Sequence, residues 1–230
     1  MTDATKAKQA TGHTVAAWVE DGMMVGIGTG STAAFAIEAL GARIREEALA
    51  ITGVATSFAS ERLAREAGLP LTTLDTIHQL DLAFDGADEV DPAFNLIKGR
   101  GAAHTRERVV AALAERFVVL VDASKQVPQI GSGKPVPVEV VPMATGPVRL
   151  ALERLGAQTA LRMGERKDGP VVTDQGLWII DAHFGPITDP ASLAMRIKAM
   201  PGVLDHGLFI GMPHDVLVGH PDGTVQHLTP

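Results

Sequence analysis

The sequence predicts an α/β protein in two parts: a doubly wound, mostly parallel sheet and a second, smaller α+β domain. Three observations predict it. Apolar strand-like runs alternate with helical stretches through the first half. Those runs, such as Phe117-Val118-Val119-Leu120-Val121, are continuously apolar, as strands covered on both faces must be. A cluster of Pro128, Pro135, Pro137 and Pro142 with Gly131 and Gly133 then interrupts the alternation, and a different order of elements follows it.

Residues 8–20 have a helical pattern and lead into Met23-Met24-Val25-Gly26-Ile27, a short buried-strand pattern. A glycine-rich turn follows, then a helix from about Ser31 to Leu40. Next come an apolar run at 51–55, a helix from about Ser60 to Ala67 and an extended Leu71-Thr72-Thr73-Leu74. Leu80-Asp81-Leu82-Ala83-Phe84 is a further strand, 102–115 a helix and 117–121 a buried strand. Beyond the Pro/Gly cluster the order is strand 136–141, helix 147–155, strand 157–162, a second hairpin arm Leu177 to Asp181, helix 190–199 and strand 203–210. That order is a βαββαβ, ferredoxin-like unit. The tail, Asp215 to Leu228, holds a Pro221-Asp222-Gly223 turn between two short apolar runs and is expected to return to the first sheet. The expected division is a Rossmann-like domain over 1–132 and 207–230 and a small α+β domain over 133–206.

The charge balance narrows the function classes. Twenty Lys+Arg against 27 Asp+Glu give a net charge of −7, which argues against a general nucleic-acid binder. With no Cys there is no disulfide framework, thiol nucleophile or Cys-ligated metal. The uncharged run Gly22 to Ile37 is too short and polar for a membrane span, which needs about 20 apolar residues. Met1 to Ala10 has no apolar stretch of a targeting signal, so a cytoplasmic location is expected.

Five segments carry chemistry. Gly26-Ile27-Gly28-Thr29-Gly30-Ser31-Thr32 lies between a strand and a helix, where glycines allow close approach and free amides with two hydroxyls suit a phosphate. It matches neither a Walker A loop nor the dinucleotide fingerprint; a tight βα turn with an ordinary N-cap is the alternative. Asp85-Gly86-Ala87-Asp88-Glu89-Val90-Asp91 follows an apolar strand, and four neighbouring carboxylates should repel one another and raise at least one pKa. They suit sugar hydroxyls or proton transfer, with a solvated acidic turn or a divalent metal as alternatives. Lys98-Gly99-Arg100-Gly101 precedes the 102–115 helix, where a Lys and backbone amides can neutralise an oxyanion; a flexible basic loop is the alternative.

Glu107 falls on the helical-wheel arc of Ala103, Val110, Ala111 and Ala114, which Val109, Leu113 and Phe117 extend. A carboxylate on such a face should have a raised pKa, suited to a general base near neutral pH. The alternative is a first-turn Glu stabilised by the helix dipole or paired with Arg106 or Arg108, and Arg106 shares the arc. Finally, Asp122-Ala123-Ser124-Lys125 follows the buried strand, with Lys125 at its carboxyl end. None of the eight His shows ligand spacing.

Together these segments resemble the ribose-5-phosphate isomerase type A family. The matching pieces are Gly28-Thr29-Gly30-Ser31-Thr32, Asp85-Gly86-Ala87-Asp88-Glu89, Lys98-Gly99-Arg100-Gly101, Thr105-Arg106-Glu107 and Asp122-Ala123-Ser124-Lys125. Val136 to Met143 and the Val171-Val172-Thr173-Asp174 turn also resemble the family, so the likeness spans nearly the whole chain. Two departures are visible: Arg100 stands where the family usually has a third Gly, and His104 where an apolar residue is common.

The resemblance implies interconversion of ribose 5-phosphate and ribulose 5-phosphate, without metal or organic cofactor, in a homodimer or homotetramer. It implies Glu107 as the proton-shuttling base, Lys98 and nearby amides stabilising an enediolate, and Asp85 and Asp88 holding hydroxyls and assisting ring opening. It also implies that Thr29, Gly30, Ser31, Thr32 and Lys125 bind the phosphate end, with Lys8 a weaker candidate. Gly86, Ala87, Gly99, Arg100 and Gly101 are implied further contacts. The competing class is a non-catalytic sugar-phosphate sensor of the same architecture, which would have no need for a base such as Glu107. A sugar-phosphate deaminase or a coenzyme A transferase would order its motifs differently.

Overall fold

A computed structural model of the chain describes residues 2–230. In chain order the elements are α1 (Asp3–Ala17), β1 (Met24–Ile27), α2 (Ser31–Glu47), β2 (Thr52–Ala55), α3 (Phe58–Glu66), β3 (Leu80–Gly86), β4 (Glu89–Val90) and β5 (Leu96–Ile97). Then come α4 (His104–Leu113), β6 (Ala114–Asp122), β7 (Val136–Val140), α5 (Thr145–Arg154), β8 (Gln158–Leu161) and β9 (Trp178–His183). The last are α6 (Pro190–Lys198), β10 (Val203–His206), β11 (Leu208–Phe209), β12 (Asp215–Gly219) and β13 (Val225–Leu228). The chain divides into two compact units, each with its own core.

The first unit takes the chain up to Ala87, Arg106–Lys125 and Met212–Pro230. Its sheet runs β13-β12-β6-β3-β1-β2, parallel throughout except for the antiparallel edge strand β13. Continuous apolar runs form it because both faces are covered: Val25, Ile27, Phe84, Val118, Leu120 and Leu217 are all buried in one cluster with Leu40 of α2. From β1 the chain moves one way to β2 and then back across to β3. The crevice at the carboxyl ends of β1 and β3 is therefore a topological switch point, where open α/β sheets bind ligands. Gly26 lets α4 lie close to this part of the sheet, because a Cβ there would meet Val110 Cγ1 at 2.5 Å and Ala83 Cβ at 2.6 Å.

The second unit comprises Asp88–Thr105 and Gln126–Gly211. Its antiparallel sheet β10-β7-β9-β8 has the strand order of a ferredoxin-like βαββαβ unit, and α5 and α6 contribute Val148, Leu152 and Ile197 to its core. A small sheet, β11-β5-β4, adds to it.

The boundaries differ from those expected at 133–206, because 88–105, 126–132 and 207–211 join the small unit. β4 and β5 pair with β11, and both oxygens of the buried Glu89 carboxylate take amides, from Gly131 and Gly133, each at 2.6 Å. The expected strand 203–210 splits at Gly207. There a Cβ would sit 2.1 Å from the Lys98 carbonyl, and the break lets β10 join β7 while β11 joins β5.

Other limits move for local reasons. The first helix forms over Asp3–Ala17, capped by the Thr2 side chain, and α2 continues to Glu47. Leu71 makes only a single bridge to Gly53, and the chain turns at Leu74–Thr76 where an extended segment was expected. The helix expected over 102–115 is shorter: Gly99 and Ala102, at φ of 104° and 57°, hold a turn before it, and Ala114 already pairs with Leu80 as strand. No helix among the described residues is long and apolar enough to cross a membrane.

Candidate active site

In the first unit, the loop after β1 lies against the end of β3. A Cβ on Gly28 would meet the Phe84 carbonyl oxygen at 2.3 Å and Asp85 Cα at 2.7 Å, so only hydrogen fits. The buried Asp85 carboxylate accepts the amides of Thr29 at 2.9 Å and Gly86 at 2.8 Å, which ties the glycine loop to the acidic motif. Thr29 turns its hydroxyl into the protein, bonding the Thr56 and Ser57 hydroxyls at 2.7 Å each. Gly30, at φ 101°, begins α2 without any side chain capping the helix amides. Those amides lie at the positive end of the helix dipole, beside the Ser31 and Thr32 side chains of the first turn. Lys8 Nζ donates to Ser31 Oγ at 3.0 Å, which brings the weaker phosphate candidate to this loop. Lys125 ends the turn after β6.

Glu107 is buried on α4, on one face with Val110 and Ala111. The apolar arc is narrower than the wheel suggested, since Val109 is 45% exposed. Arg106 leaves that arc altogether and stacks its guanidinium 4.4 Å from the Phe58 ring.

In the second unit, Lys98 is 2% exposed, with Nζ 5.4 Å from the Phe209 ring centroid. Gly99 approaches His104 so closely that a Cβ would lie 2.6 Å from its Nδ1. Arg100, in the place of the usual Gly, keeps a negative φ; the left-handed residues are its neighbours Gly99 and Ala102, so the substitution needs no strained backbone. The Arg100 amide donates to Asp88 Oδ2 at 3.0 Å, joining the two motifs.

Each of the four carboxylates of 85–91 accepts a different set of loop amides. Asp85 and Asp88 hold the loop amides just described, and Glu89 clamps Gly131 and Gly133. Asp91 closes its own turn by accepting from Ala93 and Asn95.

Sequence reasoning missed three supporting groups. Glu139, buried in β7, accepts the Thr105 hydroxyl at the start of α4. Burial pushes its carboxyl up; the Thr105 and Thr173 hydroxyls pull it down, and the Asp205 and Asp174 charges push up again. A Glu inside the apolar run Val136 to Val141 was the available signal. Thr56 and Ser57, which hold Thr29, and Arg162, which holds the Gly99 and Arg100 carbonyls, carried no signal of their own.

A family model described as ribose 5-phosphate isomerase A (phosphoriboisomerase A) matches residues 52–223. The chain belongs to that family. A ribose-5-phosphate isomerase A from Thermosynechococcus vestitus is 55% identical over 219 residues, covering 94% of this chain and 93% of its own length. The ribose 5-phosphate isomerase A structure from Methanocaldococcus jannaschii is 45% identical, with a TM-score of 0.93 over 97% of this chain and 98% of its own. A D-ribose-5-phosphate isomerase in complex with phospho-erythronic acid is 42% identical, with a TM-score of 0.95 over 97% of this chain and 98% of its own. Of the expected site residues, Asp85 holds the Thr29 and Gly86 amides in one unit, and Asp88 holds the Arg100 amide in the other.

Proposed function

We propose that the enzyme interconverts D-ribose 5-phosphate and D-ribulose 5-phosphate, with Glu107 as the base. Opening of the furanose ring frees the C1 aldehyde. Glu107 takes the C2 proton, and the electron pair moves through C1 onto O1 as an enediolate. The same proton returns to C1, and the hydroxyl proton of O2 passes to O1, which leaves a ketone at C2. Lys98 and the amides of its loop stabilise the enediolate oxygen, while Asp85 and Asp88 hold hydroxyls and assist ring opening. The α2 amides, Ser31, Thr32, Lys8 and Lys125 receive the phosphate. A homodimer or homotetramer in the cytoplasm belongs to this proposal.

The observation that carries the base assignment is the 5% exposure of Glu107 on the α4 face that also buries Val110, which packs at Gly26. Burial on a packed helix face holds the carboxylate in a fixed position, which proton abstraction by a general base needs. Chelator-treated protein is expected to turn over both pentose phosphates. Glu107→Gln should lose nearly all kcat, about 10³-fold or more on the scale of general acid–base catalysis, while still binding substrate. Full turnover by the Gln variant removes Glu107 from the base role.

A further inference from the structure

Arg162, which follows β8, has a side chain 16% exposed and spends all three guanidinium nitrogens on fixed partners. Nε and Nη2 grip the Asp181 carboxylate from both sides, with Nε at 2.8 Å from Oδ2. Nη1 donates to the carbonyls of Gly99 at 2.8 Å and Arg100 at 2.9 Å. Asp181 is itself fixed in β9, opposite Ala160 of β8. The planar fork makes this arrangement specific, because one rigid group binds a carboxylate bidentately and still presents a donor edge to the loop.

The consequence lies on the other side of those two peptides. A trans peptide points its N–H opposite to its C=O, and the described chain has no cis peptide. With both carbonyls gathered onto Arg162, the amides of Arg100 and Gly101 face away from it. The Arg100 amide is the one that reaches Asp88 Oδ2 at 3.0 Å. The Gly101 amide has no acceptor among the described residues.

We infer that Arg162, oriented by Asp181, is a positioning residue for the isomerisation: it sorts the polarity of the Lys98–Gly101 loop so that one amide fixes Asp88 and the next is left to donate to the enediolate oxygen. This rests on the function proposed above. Without Arg162, either peptide can rotate and present a carbonyl where the reaction develops negative charge, which repels it.

The test is steady-state kinetics and thermal melts of Arg162→Ala, Arg162→Lys and Asp181→Asn on the full chain. Arg162→Ala should lose about 100-fold in kcat, the scale of one removed oxyanion donor, with KM changed by less than about threefold. Arg162→Lys should lose a similar factor although it keeps the charge, because an ammonium cannot bridge Asp181 and two carbonyls at once. Millimolar guanidinium ion should restore part of the kcat of Arg162→Ala and leave wild type unchanged. A merely structural Arg162 would lower the melting temperature without that rescue. Variants with kcat within about twofold of wild type overturn the inference, since a lost oxyanion donor costs far more. If Arg162→Ala fails to fold, Asp181→Asn decides: about tenfold lower kcat supports the inference, on the scale of a small misplacement of a catalytic group, and unchanged kcat overturns it. Absence of isomerisation by wild type would instead overturn the function proposed above.

Discussion

Replacing Gly28 by Ala tests how tightly the glycine loop is fitted to the acidic strand. Gly28 gains nothing from left-handed freedom, since its φ is not positive; its hydrogen is needed only for space. A methyl group there would lie 2.3 Å from the Phe84 carbonyl oxygen, 2.7 Å from Asp85 Cα and 2.8 Å from Asp85 Oδ1, where ordinary contact begins at 3.4 Å. Two of those three atoms are backbone of a central strand, which cannot swing aside as a flexible side chain would. The loop must therefore retreat by about 1 Å, which breaks the 2.9 Å bond from the Thr29 amide to Asp85 and displaces the α2 amides with it. A misplacement of that size costs about 100-fold in catalysis, and overpacking a filled site costs about 1–3 kcal/mol of stability. Isomerase kinetics and a thermal melt of Gly28→Ala measure both. A variant with kcat/KM within about threefold of wild type and an unchanged melting temperature would refute the reasoning, since a 1 Å retreat predicts about 100-fold.

Two further predictions concern buried carboxylates. Asp215 is 4% exposed and accepts from Arg116 at 2.6 and 2.9 Å, with His227 Nε2 at 2.6 Å; the Arg116 guanidinium, more than any other group, holds its carboxyl below the usual range. Its folded pKa lies below the unfolded value, so the stabilisation is present above about pH 4 and is lost as pH falls through the folded value. Arg116 and His227 side chains are 44% and 42% exposed, which tempers the effect. Asp215→Asn should therefore cost about 2 kcal/mol at neutral pH, or about 4–8 °C in melting temperature, and less in acid. Equal melting temperatures at neutral pH would remove the pair from the stability account. Glu139 has the opposite sign. Burial raises its folded pKa, so its contribution is full below the unfolded pKa and declines as pH rises through the folded one. Thermal melts of Glu139→Gln against wild type, from about pH 4 to about pH 8, should show the variant gaining relative stability as pH rises; a difference independent of pH would show that Glu139 keeps its proton-binding unchanged on folding.

The parallel sheet was legible because strands covered on both faces must be apolar throughout, as in 117–121 and 51–55, and the ferredoxin-like order was legible from its turn signals. The glycine loop was legible because close approach to β3 excludes every side chain at Gly28. Glu107 stood out on a face of small residues, and burial follows that face. The strand at 203–210 was not divisible from its own residues, because the break at Gly207 is imposed by the Lys98 carbonyl more than 100 residues earlier in the chain. Val109 was assigned to the buried arc because a wheel gives angle without saying how wide the covering surface is.

The sequence by itself determined the strand–helix alternation of the first part and the βαββαβ order of the second, because periodicity and turn signals are local properties. Tertiary structure alone decided what each polar group does. Asp85 became the anchor of Thr29, Glu89 a clamp on Gly131 and Gly133, and Asp91 a turn former, although all three belong to one acidic motif. Arg162, with no motif to mark it, became the group that orders the Lys98 loop. The physical reason is that hydrogen-bond partners are chosen by distance and direction across the fold, and these contacts span up to 63 positions in the chain.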